Sequence, residues 1–103
     1  MASAQKTWIG GTDTNWNTPA NWSGSTVPVA TDNVVIPNGF NVVINTDTFC
    51  SSLNISGTLT IGNDITDRSV TVSGDVNVNS SGVFKSAGNG GNALLMRGNV
   101  VNN

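Results

Sequence analysis

The sequence predicts an all-β fold, and within it a parallel β-solenoid of about three to four coils behind an aromatic N-terminal cap. Three observations carry that expectation. The polar share of the 103 residues is built from 16 Asn, 12 Thr, 11 Ser and 12 Gly, with only 10% charged. A strand–Gly–strand pattern recurs through the second half. All three tryptophans, Trp8, Trp16 and Trp22, precede it.

The composition decides the class. Asn, Ser, Thr and Gly are poor in helix interiors because their side chains or backbones prefer turns and extended forms. Val, Ile and Thr favour strands, where branched side chains pack on a pleated surface. At this length the chain is a single domain whose core must be efficient. Residues 1–33 read as the cap, a loop-like stretch rich in Gly, Thr and Asn around the tryptophans. Residues 34–103 read as the coils.

The coils open with two continuous apolar runs, Val34-Val35-Ile36 and Val42-Val43-Ile44, separated by the turn chemistry of Pro37-Asn38-Gly39. From residue 53 the chain repeats itself. Leu53-Asn-Ile55-Ser-Gly57-Thr-Leu59-Thr-Ile61 matches Val70-Thr-Val72-Ser-Gly74-Asp-Val76-Asn-Val78 position by position. A looser copy runs Leu94-Leu-Met96-Arg-Gly98-Asn-Val100-Val-Asn102. The copies begin 17 and then 24 residues apart, the period of a solenoid with two short strands per copy. Alternation places Leu53, Ile55, Leu59, Ile61, Val70, Val72, Val76, Val78, Leu94, Met96 and Val100 in the core. The stretch Asn79–Ser86 has room for a third strand, and Gly88–Asn92 reads as a turn or protruding loop. The competing all-β arrangement is an antiparallel sandwich with hairpins at Ser56-Gly57 and Ser73-Gly74. Tight hairpins are better signalled by Asn-Gly or Asp-Gly, and a sandwich does not require matched inward residues from copy to copy.

The first half carries a further pattern. Trp16-Asn-Thr-Pro-Ala-Asn-Trp22 is followed by Val27-Pro28, by Asp32-Asn33-Val34-Val35-Ile36-Pro37-Asn38-Gly39, and by Leu53-Asn-Ile55-Ser-Gly57-Thr-Leu59. Over residues 7–62 this resembles the opening of the G8 domain. It also resembles the N-terminal regions of large repeat-containing surface proteins of Bacteroidetes and of autotransporter-like adhesins. The resemblance implies a right-handed parallel β-helix, an extracellular location in bacteria, and secretion or attachment to the cell. It supplies no catalytic motif.

Each candidate site has a plain structural alternative. Trp8, Trp16 and Trp22 could offer exposed aromatic faces to sugar rings, as a carbohydrate-binding module would. The preferred reading is that they plug the end of the first coil, which would otherwise expose apolar core and unpaired strand groups. Asp13 with Asn15, Asp32 with Asn33, and Asp64 with Asp67 offer the hard oxygens that Ca²⁺ takes, but none forms an alternating acidic loop. Asp13 and Asp32 are expected instead to organise turns through nearby amides. No cofactor is expected, with calcium kept as the weak alternative. Cys50, flanked by Phe49 and close to Leu53, reads as a small buried hydrophobe. The chain lacks His, Glu and Tyr, so no Ser–His or Cys–His pair exists and the chain is read as no enzyme. Thr58 and Thr60 match Asp75 and Asn77, so no threonine ladder of the ice-binding kind is expected.

Partners follow from charge and edges. Lys6, Arg68, Lys85 and Arg97 do not cluster, so nucleic acid is not an expected partner. No apolar run is long enough for a membrane span. Met1-Ala2-Ser3-Ala4 lacks the apolar core of a secretory leader and reads as a trimmed start. The expected partner is a further set of coils, or another copy of the chain, at the open C-terminal edge, with surface glycans as a second class. The function expected is a structural module, stalk or adhesin base. Its alternatives are a subunit that stacks end to end in an extracellular fibre and a carbohydrate-binding module.

Overall fold

The structure, a computed structural model, describes residues 5–10, 12–44, 46–62, 69–86, 93–96 and 98–102. Among them the chain is all-β: eleven short strands, every strand pair parallel, and two 3₁₀ turns. Three sheets result. Sheet I has the spatial order β1 (Gln5–Thr7), β2 (Asn33–Ile36), β5 (Ser52–Ile55), β8 (Val76–Val78), β11 (Val100–Asn102). Sheet II is β3 (Asn41–Ile44), β6 (Thr58–Ile61), β9 (Val83–Ser86), and sheet III is β4 (Thr48–Cys50), β7 (Ser69–Val72), β10 (Ala93–Met96). From β2 onward the chain visits sheets I, II and III in strict rotation.

Parallel neighbours cannot be joined by hairpins, so every strand is paired with one a full pass away. The antiparallel sandwich is therefore ruled out. Alternation does the sorting within each strand: Val34 and Ile36, Val42 and Ile44, Leu53 and Ile55, and Val70 and Val72 are buried on one face. In register they form columns, of which Val34–Leu53–Val76 and Val42–Leu59 are the centre. The segment expected as a cap also contributes a strand, because β1 lies on β2 with Lys6 opposite Val34.

The register differs from the 17-residue self-match in one informative way. Leu53 pairs with Val76 and Ile55 with Val78, whereas Val70 pairs with Thr48 and Leu94. The two matched segments therefore lie on different faces. Each pass holds three strands rather than two, and β4, with one aliphatic-like position, is the strand that pattern reading lacks. The 24-residue offset does coincide with the pairing, since Val70, Val72 and Val76 lie opposite Leu94, Met96 and Val100. Asp75 accordingly neighbours Asn99, not Thr58, and Thr58 and Thr60 lie opposite Val83 and Lys85.

The reason is a shared corner chemistry. Ser56-Gly57 turns from sheet I to sheet II, while Ser73-Gly74 turns from sheet III to sheet I. At Gly57 a Cβ would stand 2.5 Å from the carbonyl oxygens of both Pro37 and Phe40, and at Gly74 it would stand 2.6 Å from that of Ser51. Backbone pairing runs through these corners: Gly57 N–H donates to Ile36 O (3.1 Å) and Gly74 N–H to Ser51 O (2.6 Å). Two corners with the same crowding demand the same local sequence, which is why they align.

Of the eleven residues expected in the coil core, seven are buried, one is partly buried, one is exposed, and two have side chains outside the described residues. Leu53, Ile55, Leu59, Ile61, Val70, Val72 and Val76 are buried, and Val78 is partly buried against them. Leu94 and Met96 pair with Val70 and Val72, but their side chains lie outside the described residues, as do Asp64, Asp67 and Gly88–Asn92 entirely. Val100 is the correction: it is 53% exposed, because no described strand lies beneath β11.

Candidate functional site

The feature that separates this molecule from a bare stack of strands is the tryptophan cap. Trp8 follows β1 directly, and its N–H donates to Val35 O at 3.0 Å, so its indole enters the interior above the Ile36–Ile55 column. Thr14–Trp16 sits on β3 in the same manner. Val43 N–H donates to Thr14 O (2.7 Å), and Trp16 N–H to Val43 O (2.9 Å). The two 3₁₀ turns, Pro19–Asn21 and Ser23–Ser25, then fold the chain back so that Trp22 lies between the other two rings. Pro19 opens the first turn, where its missing N–H costs nothing.

The rings pack edge to face. Trp8 and Trp22 have centroids 5.1 Å apart at 88°, and Trp16 and Trp22 4.8 Å apart at 69°. That is the arrangement favoured by the aromatic quadrupole. Trp22 Nε1 donates to Trp16 O at 2.7 Å, so the polar end of the central ring is satisfied inside the core. Relative exposures are 1%, 0% and 0% for Trp8, Trp16 and Trp22. The exposed-tryptophan sugar platform is therefore overturned: no ring presents a face to a ligand. The physical cause is the open end of the first pass, which only large side chains can fill.

Asn21 holds the cap loop together, and reading the sequence missed it. Its Oδ1 accepts from the N–H groups of Thr12 (2.8 Å) and Asp13 (3.0 Å). Its Nδ2 donates to Asp13 Oδ1 (2.7 Å) and Asn15 O (3.0 Å). The one available signal was its place beside Trp22 in Trp16-Asn-Thr-Pro-Ala-Asn-Trp22. Asp13 also accepts from Asn15 N–H (2.9 Å) and from Thr18 Oγ1 (3.2 Å). The Asn15 amide, then the Asn21 amide, hold its carboxyl below the ordinary carboxylate value, with Thr18 adding to them and desolvation opposing. Asp32 plays the smaller version of this role: its Oδ2 accepts from Val29 N–H at 2.9 Å. Both aspartates thus accept from nearby turn amides, as their sequence context suggested. Among the described residues no group of three or more His, Cys, Asp or Glu side chains comes together to hold a metal ion.

The same segment blunts the upper edge of sheet I. Thr7 N–H donates to Ser23 Oγ (3.0 Å), Ile9 N–H to Asn21 O (2.7 Å), and Lys6 Nζ reaches Thr26 Oγ1. Cys50 lies beneath, 1% exposed; burial, and secondarily the charge of Asp32, push its thiol up to about 12. That is the opposite of an activated nucleophile. On the outside, amides and hydroxyls link successive passes. Ser52 Oγ donates to Asn33 Oδ1 (2.8 Å), Asn79 Nδ2 to Asn54 Oδ1 (2.6 Å) and Ser56 Oγ (2.8 Å), and Asn99 N–H to Asp75 Oδ1 (2.8 Å).

At the opposite end β9, β10 and β11 each have one described strand neighbour, inward Val100 is 53% exposed and Phe84 is only partly buried, while Val83, Leu95 and Val101 are exposed at outward positions opposite Thr58, Thr71 and Asn77. No helix among the described residues is long and apolar enough to cross a membrane. Comparison with curated proteins finds no match, and comparison with solved structures finds none. The family pattern described as "Domain of unknown function (DUF8693)" matches residues 7–103, from just before Trp8 through the last described strand, and the chain belongs to that family.

Proposed function

We propose that the chain is a non-catalytic structural module: the capped end of a right-handed parallel β-solenoid in a secreted or cell-surface bacterial protein, serving as a stalk or adhesin base. The observation that carries this reading is the strict rotation of the chain through three parallel sheets, with pairing continued through the corners. Parallel strands joined by a crossover are right-handed almost without exception, which agrees with the resemblance to G8-type openings. Stacked passes give a stiff rod whose loops and outward faces are free to vary. Contact with surface glycans would fall on those outward Asn, Ser and Thr faces, since the tryptophans are sealed inside.

Paired spin labels test the architecture. Labels at Asn54→Cys and Asn77→Cys, partners across β5 and β8, should couple strongly, with backbones about 5 Å apart. Labels at Asn54→Cys and Thr71→Cys, on sheets I and III, should couple weakly. The reverse result would replace the solenoid with the 17-residue register. Location is tested separately with an antibody to the chain on intact source cells. Labelling only after lysis would overturn the surface assignment.

A further inference from the structure

The fold holds its asparagines in unlike settings. Asn21 is buried, Asn33 accepts from Ser52 Oγ, and Asn79 Nδ2 donates to both Asn54 and Ser56. Asn54 and Asn77 stand on paired strands and are followed by the branched Ile55 and Val78. Asn38 instead occupies the tip of the turn Pro37–Phe40 between β2 and β3, where it and Gly39 are exposed. Gly39 has φ of 92°, and no atom lies within 4 Å of its Cβ position. Among the described residues neither the Asn38 carboxamide nor the Gly39 N–H makes a hydrogen bond. The bond that closes the turn, from Phe40 N–H to Pro37 O, is long at 3.4 Å. Both flanks, by contrast, are pinned to the next pass. Ile36 O accepts from Ser56 N–H (2.8 Å) and Gly57 N–H (3.1 Å), and Phe40 O from Thr58 N–H (2.8 Å).

We propose that Asn38-Gly39 is a self-modifying site, at which the folded chain converts asparagine to aspartate and isoaspartate without unfolding. The Gly39 amide nitrogen, on losing its proton to solvent base, attacks Asn38 Cγ. The new N–Cγ bond closes a five-membered succinimide ring, the Cγ–Nδ2 bond breaks, and ammonia leaves after taking a proton from water. Water then opens the ring. Cleavage of the N–Cγ bond gives aspartate, and cleavage of the original peptide bond gives isoaspartate, whose backbone runs through Cβ and Cγ. Glycine is what admits the attack, since any other side chain would crowd the nitrogen and restrict the backbone rotation that brings it to Cγ. The pinned flanks confine that rotation to the tip, so Asn38 can react while the strands on either side stay paired. Asn79 cannot do the same: its carboxamide is bonded twice and its own N–H is held by Ile55 O at 2.9 Å. Either product adds one negative charge, at the corner between sheets I and II, to a chain of formal net charge −2. Asn89-Gly90 is the same pair in sequence and lies outside the described residues.

The test incubates the full chain in mildly alkaline buffer and follows each asparagine by peptide mapping, with electron-transfer fragmentation to separate isoaspartate from aspartate. Asn38 should convert ahead of Asn21, Asn33, Asn54, Asn77 and Asn79, to a mixture of the two acids. Asn89 is read in the same map and does not enter that comparison. Gly39→Asn keeps Asn38 and suits the left-handed backbone, and it should suppress the conversion. The destabilised variant Asn21→Ala reports the route. An unchanged rate at Asn38 is the result expected of a reaction in the folded chain. Acceleration in step with the unfolded fraction would overturn it, because the reaction would then wait on unfolding. Conversion of Asn38 no earlier than Asn54 or Asn77, or persistence in Gly39→Asn at the original rate, would refute the site itself.

Discussion

A side-chain amide makes at most four hydrogen bonds through its two N–H groups and two lone pairs, and Asn21 makes four within the cap. Asn21→Ala should therefore destabilise the fold by about 2 kcal/mol, read from the urea midpoint. Asn21→Asp should cost more, because a carboxylate would face Asp13 Oδ1 and Asn15 O. Thr48 presents the reverse case. Its Oγ1 is buried and finds no hydrogen-bond partner among the described residues, at an inward position opposite buried Val70. Thr48→Val keeps the shape and removes the orphaned hydroxyl, so it should raise stability by about 1 kcal/mol. Cys50 sets an alkaline limit. Its thiol is held up to about 12 in the folded chain against an ordinary 9.0, so the unfolded chain loses this proton first as pH rises. The linked stability is fully present below pH 9.0 and is lost progressively toward about 12. Cys50→Ala should flatten that stretch of the profile, as measured by denaturant melts between pH 8 and 11. None of these three roles was legible in full, because each depends on what lies opposite the residue rather than beside it in sequence.

At the scale of the element, strands were legible and corners were not. The aliphatic alternation of β2, β3, β5, β6, β7 and β8 places each strand and its inward face, because alternation along the chain is burial across the sheet. The glycines at the corners were visible as a repeat but not for their cause. Gly57 needs no positive φ; it lacks room for a Cβ, which would meet two carbonyl oxygens at 2.5 Å. Gly57→Ala should cost roughly 1–3 kcal/mol by overpacking against backbone that cannot give way. Gly39 is the contrast, with φ of 92° and nothing within 4 Å of its Cβ position. Gly39→Asn should be nearly neutral, since Asn tolerates the left-handed region. Parallel thermal melts of the two variants separate crowding from backbone conformation as the reason for a glycine.

For the whole molecule, stability should run as a gradient from the strands with two described neighbours to those with one. The β5 and β6 strands have neighbours on both sides and bury Leu53, Ile55, Leu59 and Ile61, whereas β9, β10 and β11 have one described neighbour each. In native-state hydrogen exchange the amides of β5 and β6 should be the slowest, and those of β10 and β11 the fastest of any strands. Uniform protection across all strands would show instead that the molecule opens only as one unit. The same asymmetry explains why Val100, inward by register, is half exposed while Val76 above it is fully buried.

The sequence by itself determined the all-β class and the aliphatic strands with most of their inward residues, because composition and two-residue periodicity act locally. It favoured the tryptophans as end-fillers over a sugar platform, since an uncapped first coil would expose apolar core and unpaired strand groups. Tertiary structure alone decided the register, the third strand of each pass and the burial of the cap. Two corners with the same backbone crowding select the same Ser-Gly signature, so local sequence could not tell Leu53–Val70 from Leu53–Val76. Only the stacking of whole passes, with each corner amide bonded to the pass above, separates them.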